Sequence, residues 1–389
     1  MKESLSAAFI LIATLIFALL QPAAAASAPQ PALAPVPAPP PVSAGGYIVM
    51  DYHSGAVLAE KDADKRMEPA SLTKLMTAYV VFQEVEAGRL KLDDMVRISK
   101  KAWQMPGSRT FLEVGTKVPV NTLIQGLIVQ SGNDAAVALA EQIAGSEQTF
   151  VAMMNQRARQ LGLTHTHFAN ATGLPNPQHY STARDLARLT RALIRDFPEF
   201  YKYYSEKQFT YNHITQRNRN LLLWRDSSVD GVKTGHTDSA GFCLVASAKR
   251  NNMRLISVVL HDRSEDARAT SSEALLNYGF RFFETRKLFA ADKPLKQVRV
   301  WKGASESVPL GVSRNLYITY PRGQYGKLKA SVNFKSEVIA PTQKDEKLGT
   351  LNVSLNGKVL AERPLVALRA VPVGGWWRRL SDSVRLWFQ

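Results

Sequence analysis

Residues 69–82 read PASLTKLMTAYVVF, and this stretch decides the fold. A proline precedes apolar residues at helical spacing, and the pattern ends before Gly88, which predicts a helix with one apolar face. That face consists of Leu72, Leu75, Met76, Tyr79, Val80 and Phe82. Ser71 and Lys74 are then one helical turn apart.

Ser71 and Lys74 are a candidate nucleophile and base. A serine hydroxyl needs an adjacent base at neutral pH, and an unprotonated lysine amine three residues on can be that base. Free lysine has a pKa of about 10.4, so burial and a second nearby cation must lower the pKa of Lys74. Ser-x-x-Lys also arises by chance, and a serine at a helix start is often a cap. Alone, the pair leaves both interpretations open.

A second segment, Ser131-Gly132-Asn133-Asp134, lies between the apolar run 123–129 and the alanine-rich run 135–144. The hydroxyl and the amide alternate along a short loop, so they point the same way. Such a pair can relay a proton and hold an amide-bearing substrate. The same four residues are also an ordinary turn and helix cap.

A third segment, Lys233-Thr234-Gly235-His236-Thr237, precedes two strand-like runs, 241–250 and 253–261, joined by Asn251-Asn252. A lysine and a threonine hydroxyl on a strand can bind a carboxylate, and a glycine beside them lets a substrate backbone approach closely. A solvated edge lysine is the alternative.

The order and spacing of the three segments resemble the motif set of the penicillin-recognising serine enzymes. The chain is similar to the low-molecular-mass penicillin-binding proteins, in particular the D-alanyl-D-alanine carboxypeptidases of the penicillin-binding protein 5 and 6 type, from about Gly45 onward. The resemblance implies an α+β fold: an antiparallel sheet flanked by helices with a helical subdomain, then a small all-β domain and a C-terminal amphipathic helix. We expect a catalytic domain at 45–285 and a β-rich domain at 286–373.

The resemblance also implies catalytic roles. Ser71 would be the acylated nucleophile and Lys74 its general base, while Ser131 would pass the proton to the leaving amine. The backbone N–H groups of Ser71 and His236 would form the oxyanion hole. The expected reaction is removal of the terminal D-alanine from peptidoglycan stem pentapeptides, with β-lactam antibiotics as inhibitors that acylate the same serine.

The remaining site residues would bind substrate. Asn133 would contact the penultimate side of the peptide, and Gly235 would let the substrate backbone approach closely. Lys233 and Thr234 would hold the terminal carboxylate. Arg268 falls where the family often has a further arginine for that carboxylate.

Other titratable residues give no second site, and we expect no metal or cofactor. Cys243 is the single cysteine and lies in the apolar run 242–246, which favours a buried, unreactive thiol. His165 and His167 have no third ligand at zinc spacing. His179 matches a residue in a family loop near the site. For this residue a structural role is as well supported as a role in the site.

The N-terminal residues predict export. Lys2 precedes an apolar run, 7–20, and small residues follow it, which is the order of a signal peptide, here 1–26. Residues 27–44 form a linker rich in proline and alanine. We expect the protein at the periplasmic face of the inner membrane, held peripherally.

The C-terminal residues, 374–389, predict the membrane anchor. Its apolar face would comprise Trp376, Trp377, Leu380, Val384, Trp387 and Phe388, opposite Arg378, Arg379, Asp382 and Arg385. Residues 376–389 would lie on an anionic membrane surface; a terminal helix docked on its own protein is the alternative. The chain carries a formal net charge of +16, which favours anionic partners. Export excludes nucleic acid as a partner.

Three other functions deserve comparison. A D-Ala endopeptidase acting on peptidoglycan cross-links would use the same chemistry. A class A β-lactamase would need a loop glutamate followed four residues later by asparagine, and no such pair lies between residues 131 and 233. A non-catalytic binding module would be expected to lack Ser71, Lys74 or Lys233, and all three are present.

Overall fold

A computed structural model describes residues 36–387. The expected signal peptide, the first half of the expected linker, Phe388 and Gln389 lie outside this range. Residues 36–44 lie along the body of the protein, where Val36 and Val42 pack against the core and the Tyr278 hydroxyl donates to Pro37 O at 2.9 Å. Within the described residues, no helix is both long enough and apolar enough to cross a bilayer.

Residues 46–282 mix short strands with helices. The strands are β1 (Gly46–Asp51), β2 (Val57–Lys61), β3 (Met95–Arg97), β4 (Lys117–Pro119), β5 (Gln208–Tyr211), β6 (Ile214–Arg217), β7 (Val229–Thr237), β8 (Gly241–Arg250) and β9 (Met253–Asp262). The helices are α1 (Lys74–Glu86), α2 (Lys100–Trp103), α3 (Val120–Gln125), α4 (Asn133–Ala144), α5 (Glu147–Gln160), α6 (Ala183–Asp196), α7 (Leu222–Arg225) and α8 (Glu265–Phe282).

Five of these strands form an antiparallel sheet in the order β2-β1-β9-β8-β7. The hairpin β1–β2 and the meander β7–β8–β9 are both present, and the last two strands of the meander match the strand-like runs found in the sequence. Alternate strand residues pack against α6 on one face and α8 on the other. The predicted α+β class, with helices flanking an antiparallel sheet, is confirmed.

Helix α1 lies in the centre of the helical region, and its surroundings differ from the prediction of a single apolar face. It is buried on nearly all sides because α4, α5 and α6 surround it. A helix with apolar residues on most sides is buried rather than amphipathic. The helix also begins at Lys74, later than predicted, because Ser71 belongs to a preceding 3₁₀ turn, Ala70–Thr73. Lys74 is thereby placed in the protein interior.

Apart from one 3₁₀ turn, Tyr325–Lys327, the regular structure of residues 283–367 consists of strands, as expected for a β-rich domain. They are β10 (Phe283–Phe289), β11 (Lys296–Trp301), β12 (Ser307–Gly311), β13 (Leu316–Pro321), β14 (Leu328–Phe334), β15 (Val338–Ile339), β16 (Lys347–Leu355) and β17 (Lys358–Ala367). Six form a sheet in the order β14-β16-β17-β12-β11-β15, and β10 pairs with β13. A final helix, α9 (Trp376–Trp387), follows.

A buried polar network joins this β region to the main sheet. Asp51, at the end of β1, accepts hydrogen bonds from Ser54 Oγ at 2.8 Å and from Thr285 Oγ1 at 2.7 Å. Thr319 Oγ1 lies 2.6 Å from Ser54 Oγ and 2.7 Å from Thr285 Oγ1. The network joins β1 to both β10 and β13.

Candidate active site

The three motifs meet at one cavity of about 340 Å³. It lies where the 3₁₀ turn, the beginning of α4 and the edge strand β7 converge. The predicted site residues that line it are Ser71, Ser131, Asn133, Thr234, Gly235, His236 and Arg268. Lys74 and Lys233 are buried next to this lining. The fold thus brings all nine predicted site residues together.

Lys74 lies at the centre of the site, where its amine makes three short contacts. Its Nζ lies 2.9 Å from Ser71 Oγ, 2.7 Å from Asn133 Oδ1 and 2.7 Å from Thr172 O. Burial lowers the pKa of Lys74 to about 7, against an opposing effect of the Asp134 carboxylate. A substantial fraction of the amine is therefore unprotonated at neutral pH, as a base for Ser71 requires.

The turn that carries Ser71 depends on an unusually close backbone contact. Ala70 has a positive φ of 47°. Gly173 lies against it, also with a positive φ, and a Cβ added at Gly173 would come within 1.8 Å of Ala70 O. Only glycine fits there. The same segment supplies Thr172 O to Lys74, so one loop supports both Ser71 and Lys74.

Ser131 is held in a left-handed conformation, with a φ of 66°, between α3 and α4. Its Oγ is buried and has no hydrogen-bond partner among the described residues. The buried Asp134 carboxylate accepts from the backbone N–H groups of Thr110 at 2.8 Å and Leu112 at 3.2 Å. A fixed loop therefore leaves one hydroxyl unpaired at the cavity wall, available to a bound molecule.

The other wall of the cavity is cationic. Lys233 is buried on β7, with Nζ 3.0 Å from Thr234 O. Burial, followed by the charges of Lys74, Arg219 and Arg268, holds the pKa of Lys233 well below its usual range. A negatively charged group entering the cavity would favour the ammonium form of Lys233 again. This wall is therefore electrostatically suited to an anion.

Arg268 lies at the start of α8 and is 2% exposed. Its Nη1 donates to Gly235 O at 3.2 Å, and Nη2 lies 3.2 Å from Glu265 Oε1. Gly235 itself lies against the 3₁₀ turn that carries Ser71, since a Cβ added at Gly235 would be 3.2 Å from Ser71 N. Arg268 thus supports the strand segment that faces Ser71.

Comparison with known proteins identifies the family. Residues 34–264 match the family described as D-alanyl-D-alanine carboxypeptidase, and residues 283–373 match penicillin-binding protein 5, C-terminal domain. The chain belongs to the D-alanyl-D-alanine carboxypeptidase family. The prediction of a carboxypeptidase of the penicillin-binding protein type is confirmed.

Curated relatives and solved structures resemble the carboxypeptidase over most of its length. It is 48% identical to D-alanyl-D-alanine carboxypeptidase DacA of Escherichia coli K12, over 90% of this chain and 89% of that protein. The crystal structure of penicillin-binding protein 5 from Haemophilus influenzae superposes with a TM-score of 0.84 at 44% identity, covering 86% of this chain and 99% of that one. Penicillin-binding protein D2 of Listeria monocytogenes, solved in its ampicillin-bound form, has a TM-score of 0.57 at 32% identity, covering 61% of this chain and 98% of that one.

Sequence reasoning missed Arg219, which also lines the cavity of the carboxypeptidase. Its charge contributes to lowering the pKa values of Lys74, Lys233 and Arg268. Arg219 is therefore the second nearby cation that was expected to lower the pKa of Lys74. The surrounding sequence reads only as a polar turn, so nothing local pointed to Arg219.

His179 lies behind the 3₁₀ turn that carries Ser71. Its Nε2 is 2.7 Å from Thr73 Oγ1, and its Nδ1 accepts from Ala169 N–H at 3.2 Å. Burial lowers the pKa of His179 to about 4, so the ring is neutral at physiological pH. These contacts favour the structural role. Cys243 is buried on β8, where burial raises the pKa of the thiol to about 11, as expected for an unreactive cysteine.

Proposed function

We propose that the carboxypeptidase removes the terminal D-alanine of peptidoglycan stem pentapeptides through an acyl-enzyme on Ser71. The observation that carries this proposal is the 2.9 Å contact between Ser71 Oγ and a buried Lys74 with a lowered pKa, at a cavity with a cationic wall. A nucleophile, its base and a site for a carboxylate are what cleavage next to a C-terminal residue needs.

Acylation would proceed in two stages, attack on the carbonyl and departure of the amine. Lys74 Nζ accepts the hydroxyl proton as Ser71 Oγ bonds to the carbonyl carbon of the penultimate D-alanine. The backbone N–H groups of Ser71 and His236 stabilise the oxyanion. As the C–N bond breaks, the leaving amine takes a proton from Ser131 Oγ, which Lys74 restores.

Deacylation would reverse these roles. A water molecule gives its proton to Lys74 and attacks the ester carbonyl, and Ser71 leaves as the protonated hydroxyl. The products are free D-alanine and a peptide shortened by one residue. β-Lactams would acylate Ser71 in the same way, which the ampicillin-bound relative from Listeria supports.

Substrate recognition would rest on the cationic wall. Thr234 and Lys233 bind the terminal carboxylate, with Arg268 and Arg219 adding positive charge, while Asn133 contacts the penultimate side of the peptide. This charge arrangement favours a free carboxylate over the internal amide of a cross-link. It therefore favours carboxypeptidase over endopeptidase action.

Amidation of the substrate's C-terminus tests this binding role. We expect kcat/KM to fall roughly 10- to 100-fold, because a hydrogen bond to a charged group worth about 1.5–3 kcal/mol would be lost. The measurement compares release of D-alanine and of D-alaninamide from otherwise identical pentapeptides. Equal turnover of the two would contradict the carboxylate site and support an endopeptidase.

We also propose the organisation and location of the chain. Residues 1–26 form a signal peptide and 27–44 a linker; the catalytic domain occupies 45–285, the β domain 286–373 and the anchor 374–389. The protein works at the periplasmic face of the inner membrane. Exposed large apolar side chains on α9 support the anchor.

Removal of α9 tests the anchor. The mature chain should bind anionic vesicles at low salt and bind them more weakly at high salt, because Arg378, Arg379 and Arg385 each contribute about 1 kcal/mol near an anionic surface. A chain ending at Gly375 should stay in the supernatant and still cleave free pentapeptide. Sedimentation with vesicles measures both forms, and equal binding by the two would refute the anchor.

A further inference from the structure

Helix α9 contacts the β domain through its polar face. Asp382 is 3% exposed, although it lies in a helix with mostly exposed side chains. Its Oδ2 accepts the backbone N–H of Lys302 at 2.7 Å, and its Oδ1 lies 3.4 Å from Arg299 Nη2. Lys302 has a positive φ of 58°, which belongs to the turn that presents this N–H to the carboxylate. The one acidic residue of the helix is thus its buried contact.

The chain leading into α9 is held against the same turn. Gly374 N–H donates to Lys302 O at 2.8 Å, and Ala304 N–H donates to Pro372 O at 2.8 Å. A Cβ on Gly374 would come within 2.7 Å of Gly303 O, so this close approach requires glycine. Two backbone hydrogen bonds fix the entry of the helix, the ion pair between Arg378 and Glu306 (3.4 Å) holds its first turn, and the buried Asp382 carboxylate fixes its middle.

The apolar face points away from the protein as a consequence. The large side chains on it are between 51% and 87% exposed: Trp376, Trp377, Leu380, Val384 and Trp387. Burial of that face cannot hold the helix in place. A free helix of 12 residues is marginally stable in water, so its stability must come from the polar contacts.

We infer that Asp382 holds α9 folded on the β domain before it meets a membrane, with the apolar face already turned outward to the bilayer. The inference rests on the proposed membrane anchor and adds to it. The sequence left two interpretations of this helix, a membrane anchor and a helix docked on its own protein. Here the helix is both, because its polar face is docked on the β domain and its apolar face is presented to lipid. An anionic bilayer is the occupant that fits, since Arg379 and Arg385 are exposed beside the apolar face, while Arg378 pairs with Glu306 of the β domain at 3.4 Å.

This arrangement has two consequences. The helix does not have to fold upon binding, so the bilayer interaction is not weakened by the cost of ordering it. The β domain is also joined to the helix at a fixed angle, so the membrane orients the whole protein. Asp382 is a positioning residue in this account, and it lies outside the catalytic cavity.

Hydrogen exchange of the mature chain without lipid tests the inference directly. In the unmodified protein, amides of residues 378–387 should exchange slowly. Asp382→Ala should accelerate their exchange about 10-fold to 100-fold, because a hydrogen bond to a carboxylate is lost. Its affinity for vesicles containing phosphatidylglycerol should fall about 10-fold, since binding then includes helix formation. Ser383→Ala is the matched control, because Ser383 is exposed and bonds within the helix to Arg379 O.

The outcomes separate the inference from the proposed function. Fast exchange in the unmodified protein, or unchanged exchange in Asp382→Ala, would overturn the inference. Slow exchange without vesicle binding would refute the anchor while leaving the Asp382 contact standing. Protection lost on dilution would show that a second copy covers the apolar face, which also overturns the inference. Pentapeptide hydrolysis should be the same in all three proteins, which verifies folding.

Discussion

Replacing Lys74 with alanine is expected to slow acylation of Ser71 by roughly 10²–10⁴-fold, the usual contribution of a general base. The amine would no longer take the proton of Ser71, and Asn133 Oδ1 and Thr172 O would lose their donor. The measurement is the rate at which a labelled penicillin becomes attached to the protein, followed by rapid mixing and gel or mass analysis.

Lys74→Arg separates the base role from a purely electrostatic one. Arginine keeps a positive charge and several donors but stays protonated at any accessible pH. We therefore expect this variant to be nearly as slow as the alanine variant. Recovery of rapid acylation in Lys74→Arg would contradict the base assignment.

The pH dependence of acylation follows from the same group. In the proposed mechanism the unprotonated amine is the active form, and burial lowers the pKa of Lys74 to about 7. The rate in the unmodified protein should therefore rise through about pH 7 and level off above it. A rate that falls over this range would show that the protonated form is the active one.

Gly173→Ala is expected to be the most damaging change at a residue without side-chain chemistry. The new methyl group would lie 1.8 Å from Ala70 O, so the turn carrying Ser71 or the loop of Thr172 must move. A displacement of about 1 Å in an active site can cost about 10²-fold in rate, so we expect a loss of at least that size. Acylation by labelled penicillin and the thermal unfolding midpoint should both be measured.

Gly162→Ala is the matched control for this substitution. Gly162 also has a positive φ, 70°, but an added Cβ would meet no atom within 4 Å. The control therefore includes the backbone strain of alanine at positive φ without the steric clash. If Gly173→Ala and Gly162→Ala acylate equally fast, the close approach to Ala70 is not needed for catalysis.

The motif residues could be found from sequence because each motif is local. Ser71 and Lys74 are three residues apart, and their side chains are in contact although the segment is a 3₁₀ turn followed by a helix. The strand β11, Lys296–Trp301, is also visible in the sequence, since its apolar residues alternate with polar ones.

Strand β17 is harder to find from the sequence, for a local reason. Glu362, Arg363 and Pro364 interrupt its apolar pattern, and proline is disfavoured within sheets. The neighbouring Asn356-Gly357 is nonetheless a strong hairpin signal, and it does join β16 to β17. The Asn-Gly dipeptide, following the apolar pattern of β16, therefore predicts a second strand in the position of β17.

Contacts distant in sequence could not be predicted in this way. Thr172 O meets Lys74 across 98 residues, and Gly173 meets Ala70 across a similar separation. Arg219 reaches the cavity from a polar turn with no motif of its own. Such residues become visible only when the fold closes the loops between them.

The site at which a β-lactam becomes covalently attached tests the proposed role of Ser71. The mature protein is incubated with a labelled penicillin, digested, and analysed by mass spectrometry. The account predicts one modified peptide, with the penicilloyl group on Ser71, and no attachment in Ser71→Ala. Attachment at another residue, or undiminished labelling of Ser71→Ala, would contradict it.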